Sequence, residues 1–227
     1  MLAFKLVVNS IISLVIMGGL LFLPAGTFDW WRAWVLIGTF LAGSVISVVS
    51  LFPEHKDLLR ERLRPPMQKG QPLADKIIML FFLLFFYGMF AFIPLDVFRF
   101  HLMGRPGPPV SSLGMVLFIA GWRIIYLALR ENAFAALVVK LQKERGQVVI
   151  DSGVYGVVRH PMYAGAIPFI LGIPLWLNSY AAAVLALIPV LLLLLRIPKE
   201  EAYLGRELRG YEAYTKKVRY RIIPHIW

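Results

Sequence analysis

Residues 153–195 read GVYGVVRHPMYAGAIPFILGIPLWLNSYAAAVLALIPVLLLLL. A polar island, Gly153 to Gly165, opens the stretch and packs Tyr155, Arg159, His160 and Tyr163 into nine positions. Two apolar arms follow, Pro161 to Leu177 and Tyr180 to Leu195, joined only by Asn178-Ser179. The pattern predicts a tight hairpin of two membrane helices. Proline cannot continue a preceding backbone ladder, so Arg159-His160-Pro161 ends one element and starts the next. Pro168 and Pro174 make the first arm kinked or short. A polar cluster at such a junction is where non-helical backbone lines a cavity in a membrane protein.

The rest of the chain repeats this alternation of apolar blocks and basic loops. Mean hydropathy is +0.71 and 59% of residues are hydrophobic. That excess leaves too little polar sequence to cover a soluble core. The blocks are about 20 residues long, enough to cross a bilayer as helices. Spans are predicted at Phe4–Leu23, Trp31–Phe52, Leu73–Phe98 and Val110–Leu129, with the hairpin completing about six. The first apolar run exceeds a signal-peptide core and carries no cleavage pattern, so it reads as a retained helix. Trp30, Trp31 and Trp34 sit where an aromatic belt would lie. Glu54 to Leu63 reads as a short surface helix, Ala133 to Glu144 has helical periodicity, and Gln147 to Ile150 looks extended. The tail from Lys199 to Lys217 reads as an amphipathic helix on the cytoplasmic surface, with Leu204, Leu208, Tyr211 and Val218 toward the apolar side. The expected fold is therefore an all-α integral membrane domain over 1–227, with 1–109 as accessory helices and 110–227 as the functional core.

Charge orients this arrangement. The loops on the side of the termini carry 20 of the 24 Lys and Arg, and the opposite turns carry Arg32, Arg99 and Arg105. Positive loops stay in the cytoplasm, which puts both termini and the polar island there. The net charge of +11 is accounted for by this bias and by contact with anionic membrane lipid, so no nucleic-acid partner is implied. With no Cys and four scattered His, thiolate chemistry is excluded and a metal site is not indicated.

Two further features carry chemistry. Arg196 and Glu200 lie four apart and share a face if the helix is continuous. Pro198 between them fits that geometry as the first turn of a new helix. The pair reads either as a snorkelling surface ion pair or as a site in which the carboxylate binds an ammonium and the guanidinium a carboxylate. Arg123 lies deep in the fourth span, where a charge calls for a partner or a wet cavity; Glu131 is a candidate partner.

The island resembles the G-x-Y-x-x-x-R-H-P-x-Y-x-G signature of the isoprenylcysteine carboxyl methyltransferase family, to which membrane phospholipid methyltransferases are related. The hairpin, Arg196, the Glu200-Glu201 pair and the tail Gly210-Tyr-Glu-Ala-Tyr214, Val218 and Ile223-Pro224 match as well. The resemblance covers about residues 115–227; Val154 and Gly156 replace residues that are often proline and larger. It implies S-adenosyl-L-methionine as cofactor, bound on the cytosolic side. By motif match, the cofactor would be contacted by Gln147, Val148, Val149, Ile150, Tyr155, His160, Pro161, Met162, Tyr163, Glu200 and Glu201, with Arg196 positioning the substrate carboxylate. Lys140 falls where the family has a contact of different identity. The implied acceptor is a prenylated or other lipidic carboxylate entering from the bilayer. Two other enzyme classes remain open: a phospholipid or amine methyltransferase, and an NADPH-dependent sterol or ene reductase. The reductases have a related Arg-His-x-x-Tyr-x-Gly segment followed by an acidic residue, where this chain has Ala166. A transporter or scaffold would leave residues 153–165 and 196–201 without a purpose.

Overall fold

Glycine placement explains the tightest packing in the molecule. The computed structural model describes all 227 residues and contains helices but no strand. In α5 (Pro108–Glu131) and α6 (Pro161–Trp176), glycines recur seven residues apart, at 114 and 121 and at 165 and 172. Gly114 meets Gly172, and Gly121 meets Gly165, so the helices run antiparallel with backbones in contact. A Cβ on Gly172 would lie 2.4 Å from the Gly114 carbonyl oxygen, and one on Gly121 2.5 Å from the Gly165 carbonyl oxygen. Without a hydrophobic driving force in lipid, small residues that admit such close approach hold helices together. Phe118 and Phe169 stack across the same seam with centroids 4.8 Å apart.

Around this pair stand α1 (Leu2–Ala25), α2 (Trp31–Leu51), α4 (Leu73–Leu95) and α8 (Leu187–Glu207), with the short α3 (Lys56–Arg62), α7 (Tyr180–Leu185) and α9 (Tyr211–Lys217). Five segments are long and apolar enough to cross a membrane: 2–25, 31–51, 73–100, 108–131 and 180–207; α6 is a shorter apolar helix. The chain is thus a multi-pass integral membrane protein. The hairpin of the last two arms is present, and its second arm breaks at Ala186, three residues before Pro189, which has no N–H to continue the ladder. The turn is fixed from another helix. Ser179 Oγ caps α7 by accepting Ala182 N–H at 2.9 Å and donates to the buried Asp96 carboxylate at 2.6 Å. Asp96 opens the π-helical turn Asp96–Phe100 just after Pro94.

The structure departs from the sequence reading in four places. Residues 133–142 are not helical, although their periodicity is. Side chains take the backbone groups that a helix would pair: Asn132 Oδ1 accepts Phe134 N–H, Asp75 accepts Val139 N–H, and Arg62 and Arg196 donate to the Ala135 and Leu137 carbonyls. Pro198 lies inside α8 and starts no new helix, so Arg196 and Glu200 share the face of one continuous helix. The tail is not one amphipathic helix: α8 runs on to Glu207, Leu208 is extended, and Gly210 at φ +88° turns the chain into α9. Leu208, Tyr211, Tyr214 and Val218 then bury together against Leu141, Val149 and Leu204. Of the three belt tryptophans, Trp31 and Trp34 are exposed, but Trp30 is buried edge-on against Phe98 at 5.1 Å.

Candidate active site

A cavity of about 480 Å³ opens between the island, the 133–150 segment, α4 and α8. One end is polar, with Gln147, Tyr155, His160, Tyr163, Glu200, Tyr211 and Tyr214. The other is apolar, with Phe40, Met79, Phe82, Phe86, Phe169 and Leu193. Such a bipartite space suits one ligand with charged and hydrogen-bonding groups and another that is hydrocarbon.

Each polar group is placed by a definite element. Pro161 starts α6, so His160 stands at its N-cap and Tyr163 within its first turn. Tyr163 donates its hydroxyl to Glu200 Oε2 at 2.5 Å, which ties α6 to α8. One helical turn back on α8, Arg196 forms a two-pronged pair with Asp75 of α4, Nε to Oδ1 at 2.6 Å and Nη2 to Oδ2 at 3.3 Å. Nη2 also donates to the Leu137 carbonyl, and Gln71 Nε2 donates to Asp75 at 2.6 Å. Burial of both partners makes this pair costly to break.

The arginine of the island does something else. Arg159 donates to Glu201 at 2.7 Å and to the carbonyls of Val218 and Arg219 at 2.8 Å. Its backbone N–H and that of His160 bond to the Tyr220 and Arg221 carbonyls. Glu201 receives Arg159, Arg221 at 2.9 Å and His160 Nε2 at 3.1 Å. Arg159 and Glu201 therefore bind residues 218–221 onto the island, and Glu201 does not line the cavity. Behind the island, Gly153 has φ +53° and lies against the Glu131 carboxylate, leaving no room for a Cβ. Glu131 accepts from Ser152 Oγ, so it is not the partner of Arg123, whose guanidinium lies 5.2 Å from the Tyr126 ring centroid.

The tyrosines remain neutral donors over the physiological range. Burial pushes the Tyr155, Tyr211 and Tyr214 hydroxyls above the usual phenol value, with nearby carboxylates adding to the rise at Tyr211. Tyr214 donates to the Tyr155 carbonyl at 2.8 Å. Tyr211 Oη is buried and has no partner in the chain. The backbone N–H and C=O groups of Val148, Val149 and Ile150 also bond to nothing else in the chain. Buried polar groups are almost always satisfied, so the Tyr211 hydroxyl fits a polar ligand, and the half-exposed backbone of residues 148–150 is free to bond one.

Of the residues named from the sequence, Gln147, Val148, Val149, Ile150, Tyr155, His160, Pro161, Met162, Tyr163, Arg196 and Glu200 all line this one cavity, as does Lys140. Sequence reasoning missed Asp75, Arg62, Asn132, Tyr211 and Tyr214. Asp75 had a signal: it is an acid in the first turn of an apolar run, a position that demands a partner. The two tail tyrosines had one in the family-like tail 210–214, which marked the segment without giving it a role; Asn132 had none, because loop packing brings it in.

Comparison with known proteins shows what the chain is similar to. Residues 110–209 match the family described as phospholipid methyltransferase. A protein-S-isoprenylcysteine O-methyltransferase B from Arabidopsis thaliana is 29% identical over 113 residues, which are 48% of this chain and 57% of that protein. The chain thus aligns with little more than half the length of that relative. Both matches support a membrane methyltransferase of the isoprenylcysteine and phospholipid methyltransferase type, and the family match includes residues 153–165 and 196–201. The match begins with α5, so α1 to α4 lie outside the family region.

Proposed function

We propose that the protein is an S-adenosyl-L-methionine-dependent methyltransferase that modifies the carboxylate of a prenylated or similar lipidic acceptor. The observation that carries this reading is the continuity of the polar and apolar ends of one cavity, with Glu200 at the polar end and Arg196 one turn back along α8. Glu200, held by Tyr163, is placed for the donor's ammonium. The unpaired backbone of Val148 to Ile150, with Gln147, Tyr155, Tyr211 and the run His160 to Tyr163, offers hydrogen bonds and apolar contacts for its nucleoside. Glu201 acts behind this wall by holding Arg159 and His160 in place.

When bound, the donor supplies an already activated methyl group on a sulfonium. A carboxylate acceptor is already ionised, so no residue need remove a proton. The chain's work is then placement and exclusion of water. Arg196 is fixed by Asp75 and Leu137; its Nη1 makes no bond within the chain and is the atom free to position the acceptor carboxylate. The apolar end, between α2, α4, α6 and α8, takes the hydrocarbon chain, which enters laterally from the bilayer. The helices of residues 1–109 supply one wall of that entry. The excess of Lys and Arg in the loops on the side of the termini supports a cytoplasmic donor site and cytoplasmic termini.

An amine or phospholipid headgroup is the second reading, because Asp75 already offsets the charge of Arg196 and the family match is to phospholipid methyltransferases. Purified protein in nanodiscs should bind S-adenosylhomocysteine saturably and transfer a labelled methyl group to an S-farnesylcysteine derivative. Transfer to phosphatidylethanolamine alone would select the second reading. Saturable binding of NADPH without S-adenosylhomocysteine binding would overturn both.

A further inference from the structure

Four side chains with permanent positive charge line the cavity: Arg62, Lys140, Arg159 and Arg196. Arg196 pairs with Asp75, Arg159 with Glu201, and Lys140 reaches Glu144 at 4.0 Å. Arg62, the last residue of α3, has no carboxylate in reach. Acids beside it are committed elsewhere: Asp57 pairs with Arg60, and Glu61 with Arg64. The one protein group that Arg62 bonds is the Ala135 carbonyl, at 3.2 Å. It nonetheless lines the cavity, half-buried and close to Tyr155. Burial pulls its guanidinium down to about 10, partly countered by Tyr155, and it stays charged at neutral pH. A guanidinium that faces the cavity, is partly shielded from water and has no carboxylate of the chain beside it is open to an anion from outside the chain.

We propose that Arg62 binds a carboxylate of a bound ligand at the polar end of the cavity. The proposal rests on the methyltransferase reading, which supplies two carboxylates, the donor's amino-acid carboxylate and the acceptor's. A planar guanidinium with one bond to protein retains an edge for two-pronged pairing with either. The consequence reaches beyond one residue. Arg62 lies outside the family region, so the N-terminal half supplies a ligand contact as well as a membrane body. Arg62 also bonds to the 133–142 segment that roofs the cavity, which would couple ligand binding to the position of that roof.

The test uses Arg62→Met and Arg62→Lys in the full chain in nanodiscs, with Arg64→Gln as a control for surface charge. Calorimetry measures binding of S-adenosylhomocysteine and of its decarboxylated analogue, and thermal unfolding reports the fold. If the donor is the source, Arg62→Met weakens S-adenosylhomocysteine at least ~10-fold and the decarboxylated analogue less than ~2-fold. If the acceptor is the source, donor affinity holds while KM for the S-farnesylcysteine derivative rises by a similar factor. Arg62→Lys keeps the charge without the fork and gives the same pattern at smaller size, which decides the matter should Arg62→Met unfold. Equal loss for both donor ligands, or no loss for donor or acceptor, overturns the assignment. Failure of the unsubstituted protein to bind S-adenosylhomocysteine overturns the methyltransferase reading itself, and this proposal with it.

Discussion

Adding one methyl group at Gly172 tests the α5–α6 seam directly. An alanine Cβ there would stand 2.4 Å from the Gly114 carbonyl oxygen and 2.6 Å from the Phe118 nitrogen. Ordinary van der Waals contact begins at 3.4 Å, so the overlap is roughly 1 Å, against backbone that cannot rotate aside. The helices must separate, and the Phe118–Phe169 stack must open with them. Overpacking of this kind costs about 1–3 kcal/mol, and rigid backbone on both sides argues for the upper part of that range. For a chain of this size that lowers the unfolding midpoint by roughly 5–10 °C. Because His160 caps α6 and Tyr163 lies in its first turn, donor affinity should fall as well. The measurement is thermal unfolding by tryptophan fluorescence in one detergent, with S-adenosylhomocysteine titrated in parallel. Gly88→Ala is the control: nothing lies within 4 Å of a Cβ there, and alanine favours helix over glycine. A Gly172→Ala midpoint equal to that of Gly88→Ala, with unchanged donor affinity, would refute the account of the seam.

Asp75→Asn should destabilise the protein by about 3–5 kcal/mol, because it leaves Arg196 charged and buried; pairing it with Arg196→Met should recover much of the loss, and additive midpoints in the double variant would show that the pair does not interact. Tyr163→Phe removes a hydrogen bond to a carboxylate and should weaken S-adenosylhomocysteine about tenfold with little change in unfolding midpoint; unchanged affinity would separate Glu200 from the donor site. Glu201→Gln should show the reverse pattern. Loss of its pairs with Arg159 and Arg221 should lower the midpoint and expose residues 218–227 to protease, while donor affinity of the folded protein stays within about threefold. A selective loss of affinity at an unchanged midpoint would mean that Glu201 contacts the ligand. Phe82→Trp should narrow the apolar end and raise KM for a farnesyl acceptor more than for a short-chain one; equal changes would place the hydrocarbon elsewhere.

Much of the fold was legible because the bilayer imposes a simple code. Block length and mean hydropathy suffice for a long helix, and they located α1, α2, α4 and α5 to within a few residues. The same code misread residues 133–144. Apolar periodicity is a local property, but here Asp75, Asn132, Arg62 and Arg196 compete for the backbone groups, and the competition is won by residues as distant as α4 and α8. The tail failed for a related reason: Gly210 could be read as a turn residue, yet only packing against Leu141 and Val149 shows what the turn achieves.

The candidate site divides along the same line. Residues 153–165 and 196–201 were recognisable as chemistry because polar side chains are expensive among apolar spans. Their partners were not. The amino-acid sequence alone determined an all-α membrane protein with a polar island beside a hairpin. The tertiary structure decided which charges face one another: Asp75 with Arg196, Arg159 with Glu201, and Arg62 with none. The reason is physical. Partition into a membrane is summed residue by residue and can be read from composition, whereas an ion pair depends on the distance between two atoms, and the chain sets that distance only when its helices pack.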